Sequence, residues 1–276
     1  MGGEEKLPAE EVERIWHYYL TKGKMPEDLP TPWYTSKHLR PLYRRLPAEP
    51  RCQICYYPFA GFGGKVIRRL FEIEPSKLNP HLCNQCEEFA KRYSGGTEIE
   101  LSIVFADIRG STKLAQQMNA TSFSQLIQRF YNAATQAFYK SGALVEKLIG
   151  DAVTGFYTPG FSGPNHARIA VETAREILIA TGHGSASGPW VPVGTGVHTG
   201  MAFVGAIQSD SGANDIVVLG DTANTGARLA SIAKAGEVVI SQATASAAGL
   251  AASAMDLRQV ELKGLNQTME VRVLHI

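Results

Sequence analysis

The sequence predicts an α+β protein in two parts, a proline-rich N-terminal part with four cysteines and a C-terminal domain with the element order βαββαβ. Three observations lead to this fold class. Residues 98–106 alternate apolar with smaller or polar side chains, which is the pattern of a strand. Residues 122–141 carry apolar side chains at helical spacing, and residues 143–157 form two short β-like segments joined at Gly150 and Asp151, which predicts a hairpin.

The N-terminal part is predicted to begin with a short helix and to continue as an irregular segment. Apolar residues recur at helical spacing after Pro8 and predict one buried stripe of Val12, Ile15, Trp16, Tyr19 and Leu20. Residues 25–50 combine prolines with aromatic residues, so we expect an extended segment that wraps over a surface. The basic residues Lys37, Arg40, Arg44, Arg45 and Arg51 are interpreted as a solvated face rather than a nucleic-acid patch, because the chain is almost neutral overall.

All four cysteines lie in two C-x2-C pairs, Cys52 with Cys55 and Cys83 with Cys86. Two such pairs predict a four-thiolate metal site, because each pair directs two sulfurs at one centre. Zinc is favoured and an iron–sulfur cluster is the alternative, since both accept four thiolates. Disulfides are less consistent with the reducing compartment expected for this chain. Residues 58–64 are predicted to be turns, and they lack the GK[ST] that a phosphate loop requires.

Composition limits the classes of partner. The chain has 276 residues and a net charge of +1, which provides no broad field for nucleic acid or acidic lipid. Its apolar runs are far shorter than the roughly 18 residues of a membrane span, and its first residues do not resemble a signal peptide. A cytoplasmic location is therefore expected. The expected domains are residues 1–50, with the helix and extended segment, 51–96, with the metal module, and 97–276, with the C-terminal domain.

The C-terminal domain is predicted element by element. The first strand ends at Asp107, and Gly110 permits a turn after which Ser111 or Thr112 caps a helix. Ser122 and Gln125 form an apparent capping box for the long helix that follows. After the hairpin, a helix over 165–180 and a strand over 191–200 complete a ferredoxin-like βαββαβ unit. Added strands are expected near 201–207, 216–219, 236–241, 257–262 and 269–275, with a helix after Asp221.

Two carboxylates, Asp107 at a strand end and Asp151 in the hairpin turn, indicate a site for a hard cation such as Mg²⁺. Taken alone, either residue could equally be ordinary turn chemistry. Their surroundings are FADIRGST at 105–112, EKLIGDAVTGFY at 146–157 and VLGDTANTGARLAS at 218–231. Together these three segments resemble the catalytic domain of class III nucleotidyl cyclases, the adenylate and guanylate cyclases. The resemblance covers about residues 99–275.

The resemblance implies a reaction and a set of site residues. Such a domain forms a homodimer with two shared sites, in which the ribose 3′-oxygen of ATP attacks the α-phosphorus and pyrophosphate leaves. Two Mg²⁺ or Mn²⁺ ions are expected on the carboxylates of Asp107 and Asp151, with the Ile108 carbonyl as a further ligand. The β and γ phosphates are expected on backbone amides, those of Arg109, Gly110, Ser111 and Thr112.

Further positions match residues of the family that contact the nucleotide. Asn224 and Arg228 lie four apart on one helix face and match the residues that orient the ribose and stabilise the transition-state phosphate. Lys147 matches the base-recognising lysine. Lys263, in ELKG, lies where the family often has a phosphate-contacting basic residue. Because the carboxylates serve one site and the lysine, asparagine and arginine the other, a monomer is expected to be inactive.

One position departs from the pattern of adenylate cyclases. Val217, seven residues before Asn224, stands where these enzymes carry a hydrogen-bond acceptor for adenine. Asp215 would project on the same strand face and could replace the acceptor. ATP is therefore favoured, with GTP or mixed specificity as the alternative. Two other classes stay open, a catalytically weak nucleotide-binding regulatory domain and a metal-knuckle nucleic-acid binder, although the latter lacks a basic stripe.

Overall fold

The computed structural model of the chain describes residues 7–29, 40–45, 50–76, 82–208, 214–251, 255–261 and 268–276. The helices in these ranges are α1 Ala9–Lys22, α2 Arg40–Arg45, α3 Gly61–Phe71, α4 Asn84–Arg92, α5 Ser111–Gln117, α6 Ala120–Ser141, α7 Pro159–Ser162, α8 His166–Ala180, α9 Asp221–Ile232 and α10 Gln242–Ala247. The strands are β1 Gly95–Ile108, β2 Leu144–Ile149, β3 Ala152–Tyr157, β4 Val193–Gln208, β5 Asn214–Leu219, β6 Glu237–Ser241, β7 Asp256–Glu261 and β8 Thr268–His275. None of the described helices is both long and apolar enough to cross a membrane.

The described strands form one sheet of eight, in the order β2-β3-β1-β4-β6-β8-β7, with β5 paired to β4. Strands β2 and β3 form the predicted antiparallel hairpin, and β3 pairs antiparallel with β1. Strand β4 runs parallel to β6, which in turn pairs antiparallel with β8. This order confirms the predicted α+β class with a βαββαβ core and added strands.

The chain divides into two compact units. Unit 1 comprises Met1–Ile99, Pro159–Phe161 and Phe203–Val218. Within it, α1 presents the predicted apolar stripe, and its Trp16 ring lies 5.1 Å from the ring of Phe89 on α4. The indole N–H of Trp16 donates to the backbone oxygen of Tyr93 at 2.7 Å. The first helix is therefore fixed by buried aromatic packing and by one buried hydrogen bond.

Unit 2 comprises Glu100–Thr158, Ser162–Ala202 and Leu219–Ile276 and contains most of the sheet and its covering helices. Helix α6 packs on the sheet where β3 has a glycine, since a Cβ on Gly155 would come within 2.8 Å of the Phe138 ring. Helix α9 packs on the other strands through a cluster of Leu229, Ala233, Val239, Val271 and Val273. Burial of these apolar faces supplies the main stabilisation of the unit.

Several local predictions were wrong, each because a neighbouring residue supplies the turn or cap. Residues 58–64 are not all turn: α3 begins at Gly61, which is the only one of its three glycines with positive φ (72°). Neither Ser111 nor Thr112 caps α5, since Gly110 occupies that position with a left-handed φ of 69°. The capping residue of α6 is Asn119, whose side chain accepts from the Ser122 amide, so Ser122 caps nothing here.

Two longer segments also differ from expectation. The strands expected at 191–200 and 201–207 are one strand, β4, which continues through Gly200. A Cβ at Gly200 would lie 2.8 Å from the Thr222 hydroxyl, so the glycine allows close approach of α9 rather than a break in the strand. The region expected to be extended, 25–50, contains the short helix α2. The rest of the expected wrap, at 30–39 and 46–49 and including Lys37, lies outside the described residues.

Candidate active site and four-cysteine centre

The structure brings Asp107 and Asp151 together. Asp107 lies near the end of β1 and pairs in register with Ala152 on β3, the residue that follows Asp151. The Ile108 amide donates to the Asp151 carbonyl at 3.1 Å. The hairpin turn between the strands has Gly150 at a φ of 61°, and its carbonyl accepts from the Tyr131 hydroxyl at 2.8 Å. Strand pairing and the turn therefore hold the two carboxylates next to each other.

The Asp107 carboxyl group has a raised pKa and a buried oxygen without a hydrogen-bond partner among the described residues. Burial raises the pKa of its carboxyl above the ordinary value, the neighbouring Arg109 opposes this, and the nearby Asp151 raises the pKa further. Among the described residues, nothing hydrogen-bonds to its buried Oδ1. A buried carboxylate oxygen without a partner is costly, and a divalent cation would satisfy it. The residues present therefore fit a hard metal ion with oxygen ligands.

The side chain of Arg109 makes two contacts that the sequence did not predict, one with Asp107 and one with Ser231. Its guanidinium forms an ion pair with Oδ2 of Asp107 and donates to the backbone oxygen of Ser231, in the last turn of α9, at 3.0 Å. Its backbone amide donates to the Pro192 carbonyl at 2.8 Å. That amide is therefore engaged by the chain itself in this structure, and its expected contact with a phosphate stays a prediction. The remaining expected phosphate-binding residues, Gly110, Ser111 and Thr112, form the start of α5.

Helix α9 carries the predicted Asn224 and Arg228 on one face, with Asn224 exposed and Arg228 partly buried. No described residue forms an ion pair with the Arg228 guanidinium. Two glycines bring the helix close to the sheet. A Cβ on Gly226 would lie 2.9 Å from the Phe105 ring, and one on Gly196 of β4 would lie 2.2 Å from the Ala230 amide nitrogen. The helix that presents both side chains is thus fixed by close backbone contact with the sheet.

The base-recognition candidates lie on two other strands. Lys147 is on β2 beside an irregularity in the pairing with β3, and its ammonium lies 3.6 Å from the carboxylate of the buried Glu146. Asp215 and Val217 lie on β5, in unit 1. Asp215 is exposed, and its Oδ1 accepts from the Ile216 amide at 2.9 Å. The remaining candidate, Lys263, lies outside the described residues.

The four cysteines form a second, separate site in unit 1. All four are buried and free, and their sulfurs lie within 4.8 Å of one another. The first pair sits on a turn in which the Tyr56 amide donates to the Cys52 carbonyl at 3.0 Å. The second pair spans the start of α4, where Cys83 caps the helix by accepting from the Cys86 amide. The disulfide alternative is thereby excluded for this structure.

The dimensions of this cluster fit a tetrahedral thiolate site. Zinc–sulfur bonds of about 2.3 Å imply sulfur–sulfur distances of about 3.8 Å in a tetrahedron. The sulfurs of Cys55 and Cys83 are 3.7 Å apart. Burial raises the pKa of the Cys52 thiol, but hydrogen bonds with the other three cysteines outweigh burial and lower it well below its ordinary value. Hydrogen bonds with Cys52 instead raise the pKa of the Cys55 and Cys86 thiols well above the ordinary value, so thiolate, the form that binds metal, is favoured at Cys52 and disfavoured at these two.

Comparison with known proteins identifies the C-terminal part. The sequence profile of the adenylate and guanylate cyclase catalytic domain matches residues 96–275, and the chain belongs to this family. An adenylate cyclase of Anabaena cylindrica is 26% identical over 138 residues, which are 49% of this chain and 27% of that protein. The chain thus spans about a quarter of that relative's length, and the matched region is a nucleotidyl cyclase catalytic domain.

Solved structures give the same fold. The crystal structure of a guanylyl cyclase superposes with a TM-score of 0.58 at 23% identity, covering 65% of this chain and 93% of the solved chain. The adenylyl cyclase CyaB from P. aeruginosa superposes with a TM-score of 0.55 at 25% identity, covering 66% of this chain and 96% of the solved chain. Neighbours of both substrate classes are therefore present.

Proposed function

We propose that the protein is a homodimeric adenylate cyclase that converts ATP to 3′,5′-cyclic AMP and pyrophosphate with two Mg²⁺ or Mn²⁺ ions. The observation that carries this proposal is the unpartnered, buried Oδ1 of Asp107 beside Asp151, at the end of the strand where the family binds its cations. Bound there, the cations would lower the pKa of the ribose 3′-hydroxyl and neutralise charge on the phosphates. Asp107, Asp151 and the Ile108 carbonyl are the proposed ligands.

The chain's own side chains then act on the nucleotide. Asn224 orients the ribose, and Arg228, which forms no ion pair with a described residue, donates to the phosphate oxygens as they gain charge. Amides at the start of α5, from Gly110 onward, are proposed for the β and γ phosphates, since the first amides of a helix have no acceptor within it. Lys263 is proposed as a further phosphate contact on the family match alone.

The dimer follows from the division of these residues between two half-sites. In the family arrangement, Asp107 and Asp151 act with Lys147, Asn224 and Arg228 of the second subunit. The exposed large apolar side chains in the described part of unit 2 include Ile149, two residues from both Lys147 and Asp151 in sequence, and Leu219, five residues before Asn224. Exposed apolar surface of this kind favours association. We expect each subunit to be inactive alone.

The dimer proposal is tested by complementation. Asp107→Ala and Arg228→Ala are each expected to be inactive, whereas a mixture can assemble one intact site in every mixed dimer. With free exchange and equal mixing, about a quarter of wild-type activity should return, because half of the dimers are mixed and each has one intact site of two. Absence of recovery despite demonstrated subunit exchange would exclude shared sites.

The preference for ATP rests on the base-recognition residues and has guanylate or mixed specificity as its alternative. Val217 cannot accept a hydrogen bond from adenine, and the exposed Asp215 is the proposed substitute. Lys147 can donate to adenine N1 or to guanine O6, so it does not discriminate alone. Asp215→Ala should reduce ATP turnover and flatten the preference, whereas Val217→Thr should change little. If Val217→Thr instead sharpens ATP selectivity, the position of Val217 is an unfilled gap.

Zinc is proposed for the four cysteines of the module at residues 51–96. A site closed by four protein ligands leaves no position for substrate, so its role is to stabilise this module. The reduced thiols and the use of ATP both favour a cytoplasmic location. Elemental analysis should give about one zinc per colourless chain, as expected for one four-thiolate site. A brown protein that contains iron and acid-labile sulfide would replace zinc with an iron–sulfur cluster.

A further inference from the structure

Helix α3 belongs to unit 1, and most of its described residues are exposed. Apart from Ile67, whose side chain is not described, Gly64 is the only buried residue of its 11. A Cβ at Gly64 would lie 2.9 Å from the Pro58 carbonyl oxygen, so the helix backbone rests directly on the preceding loop. The Tyr57 hydroxyl also reaches the Gly64 carbonyl at 3.4 Å. Of the ten α3 residues whose burial is described, seven are exposed, so most of the described surface of the helix is uncovered.

The uncovered surface has an apolar stripe. Phe62, Val66 and Leu70 recur every four residues, and their exposed fractions are 84%, 37% and 66%. At 3.6 residues per turn, these three side chains span an arc of about 80° on one face of the helix. Large apolar side chains are seldom exposed as a contiguous row on a surface that faces water alone. The stripe therefore indicates a surface that is covered in the working protein.

The charges within the helix all have one sign, and the first acidic residue after them is its exposed C-cap, Glu72. The helix contains Lys65, Arg68 and Arg69 and no acidic residue. Arg68 forms an ion pair with Glu74, whereas Lys65 and Arg69 are exposed. In helical projection, Arg69 lies about 20° from Phe62 and Lys65 about 60° from it, so both cations border the apolar stripe. The surface that covers α3 must accept apolar side chains and, along one edge, two positive charges.

We propose that α3 binds the surface of an anionic lipid bilayer, with Phe62, Val66 and Leu70 inserted at the headgroup boundary and Lys65 and Arg69 against lipid phosphates. An interfacial helix of this kind has a strong apolar face and cations on its polar side. Nucleic acid would match the charge but leave the apolar row in water. A second copy of the helix would match the apolar row but bring like charges together.

The bilayer also suits the shape of the element. Most of the described α3 residues are exposed, and a fluid interface can receive an exposed helix face without a complementary protein surface. Anionic lipid contributes roughly a fivefold increase in partitioning for each basic residue at the surface. The proposal concerns unit 1 and is independent of the cyclase reaction, so it can fail while the proposed function stands.

The test is sedimentation of the full-length, metal-loaded protein with vesicles. Vesicles of phosphatidylcholine with 30% phosphatidylserine should bind the protein at 0.1 M salt, and pure phosphatidylcholine should bind it far less. The pair Lys65→Gln with Arg69→Gln should weaken partitioning by about 25-fold, from fivefold per charge. The pair Phe62→Ser with Leu70→Ser should weaken it by tenfold or more, since two apolar insertions are lost.

Matched controls separate the surface from general effects. Ile179→Ser removes a side chain that is 57% exposed on α8, and Lys140→Gln removes an exposed charge on α6. Both should bind vesicles as wild type does. In addition, Phe62→Trp should gain fluorescence quenching by brominated lipid beyond that of the native tryptophans. Equal binding to both vesicle types, no binding to either, or equal loss in the control variants would overturn the proposal. Capture of an acidic protein without vesicle binding would also overturn it.

Discussion

The close contact between β4 and α9 makes Gly196 the most sensitive position behind the candidate active site. An alanine Cβ there would lie 2.2 Å from the Ala230 nitrogen and 2.7 Å from the Gly226 oxygen. Both are backbone atoms, so no side-chain rotation relieves the collision. Real Cβ atoms stay at least 3.0 Å from such neighbours, and α9 must therefore move away from β4 by about 0.8 Å in Gly196→Ala.

That displacement sets the expected magnitude. Helix α9 carries Asn224 and Arg228, and a misplacement of about 1 Å in catalytic groups typically lowers turnover by about 10²-fold. The expected kcat of Gly196→Ala is therefore lower by one to two orders of magnitude, with a smaller change in KM. Overpacking of this kind also lowers the free energy of unfolding by about 1–3 kcal/mol.

The assay compares cyclic nucleotide production with thermal unfolding, and Gly160→Ala supplies the control. A Cβ at Gly160 would lie 2.5 Å from the Leu20 carbonyl oxygen in unit 1, so it creates a similar backbone collision away from α9. Gly160→Ala should lose stability but keep turnover within about threefold, since it leaves α9 in place. Wild-type turnover and stability in Gly196→Ala, or an equal loss of turnover in both variants, would refute the reasoning.

Three further predictions address the cation site, the thiolate site and His198. In the absence of nucleotide, Arg109→Ala should tighten Mn²⁺ binding about five- to tenfold, because no guanidinium then competes for Asp107. The assay is electron paramagnetic resonance of free Mn²⁺, and weaker binding by the variant would contradict this. Removal of metal from the four cysteines by a chelator should lower the melting temperature by several degrees and be reversed by zinc; an unchanged melting curve after verified removal would count against a structural metal. Burial lowers the pKa of His198 from 6.5 to about 4, so the unfolded chain binds a proton that the folded chain does not. Stability should therefore fall by about 2 kcal/mol more between pH 7 and pH 5 in wild type than in His198→Asn, as measured by urea unfolding, and equal slopes would contradict the assignment.

The fold of the C-terminal part was predictable because its elements are long and strongly patterned. Strand β1 follows an alternating sequence pattern over residues 98–106, and α6 follows an apolar stripe of several turns. The glycine and serine residues near the helix ends predicted the helix boundaries less well. Gly61 begins a helix rather than a turn, and Asn119 rather than Ser122 caps α6, because several residues near each boundary could satisfy the same backbone groups.

For the candidate site, sequence could predict that the two carboxylates lie close together but not which other residues contact them. The proximity of Asp107 and Asp151 follows from a strand end beside a hairpin turn, and the structure has them adjacent. The bond from Arg109 to Ser231 joins residues 122 apart in sequence, and it depends on the final position of α9. Likewise, the room for a side chain at Gly196 depends on how closely α9 packs against β4. The sequence around Gly196 does not predict this distance.

The most direct test of the account is product identification by mass spectrometry after purified protein is incubated with ATP or GTP and Mn²⁺. Wild type should convert ATP to 3′,5′-cyclic AMP and pyrophosphate in preference to GTP, and Asp107→Asn should form no cyclic nucleotide while keeping the wild-type melting profile of unit 2, in which Asp107 lies. Cyclic nucleotide from Asp107→Asn at the wild-type rate would contradict the cation site. Absence of any cyclic product from a folded, dimeric wild-type protein would contradict the proposed activity itself.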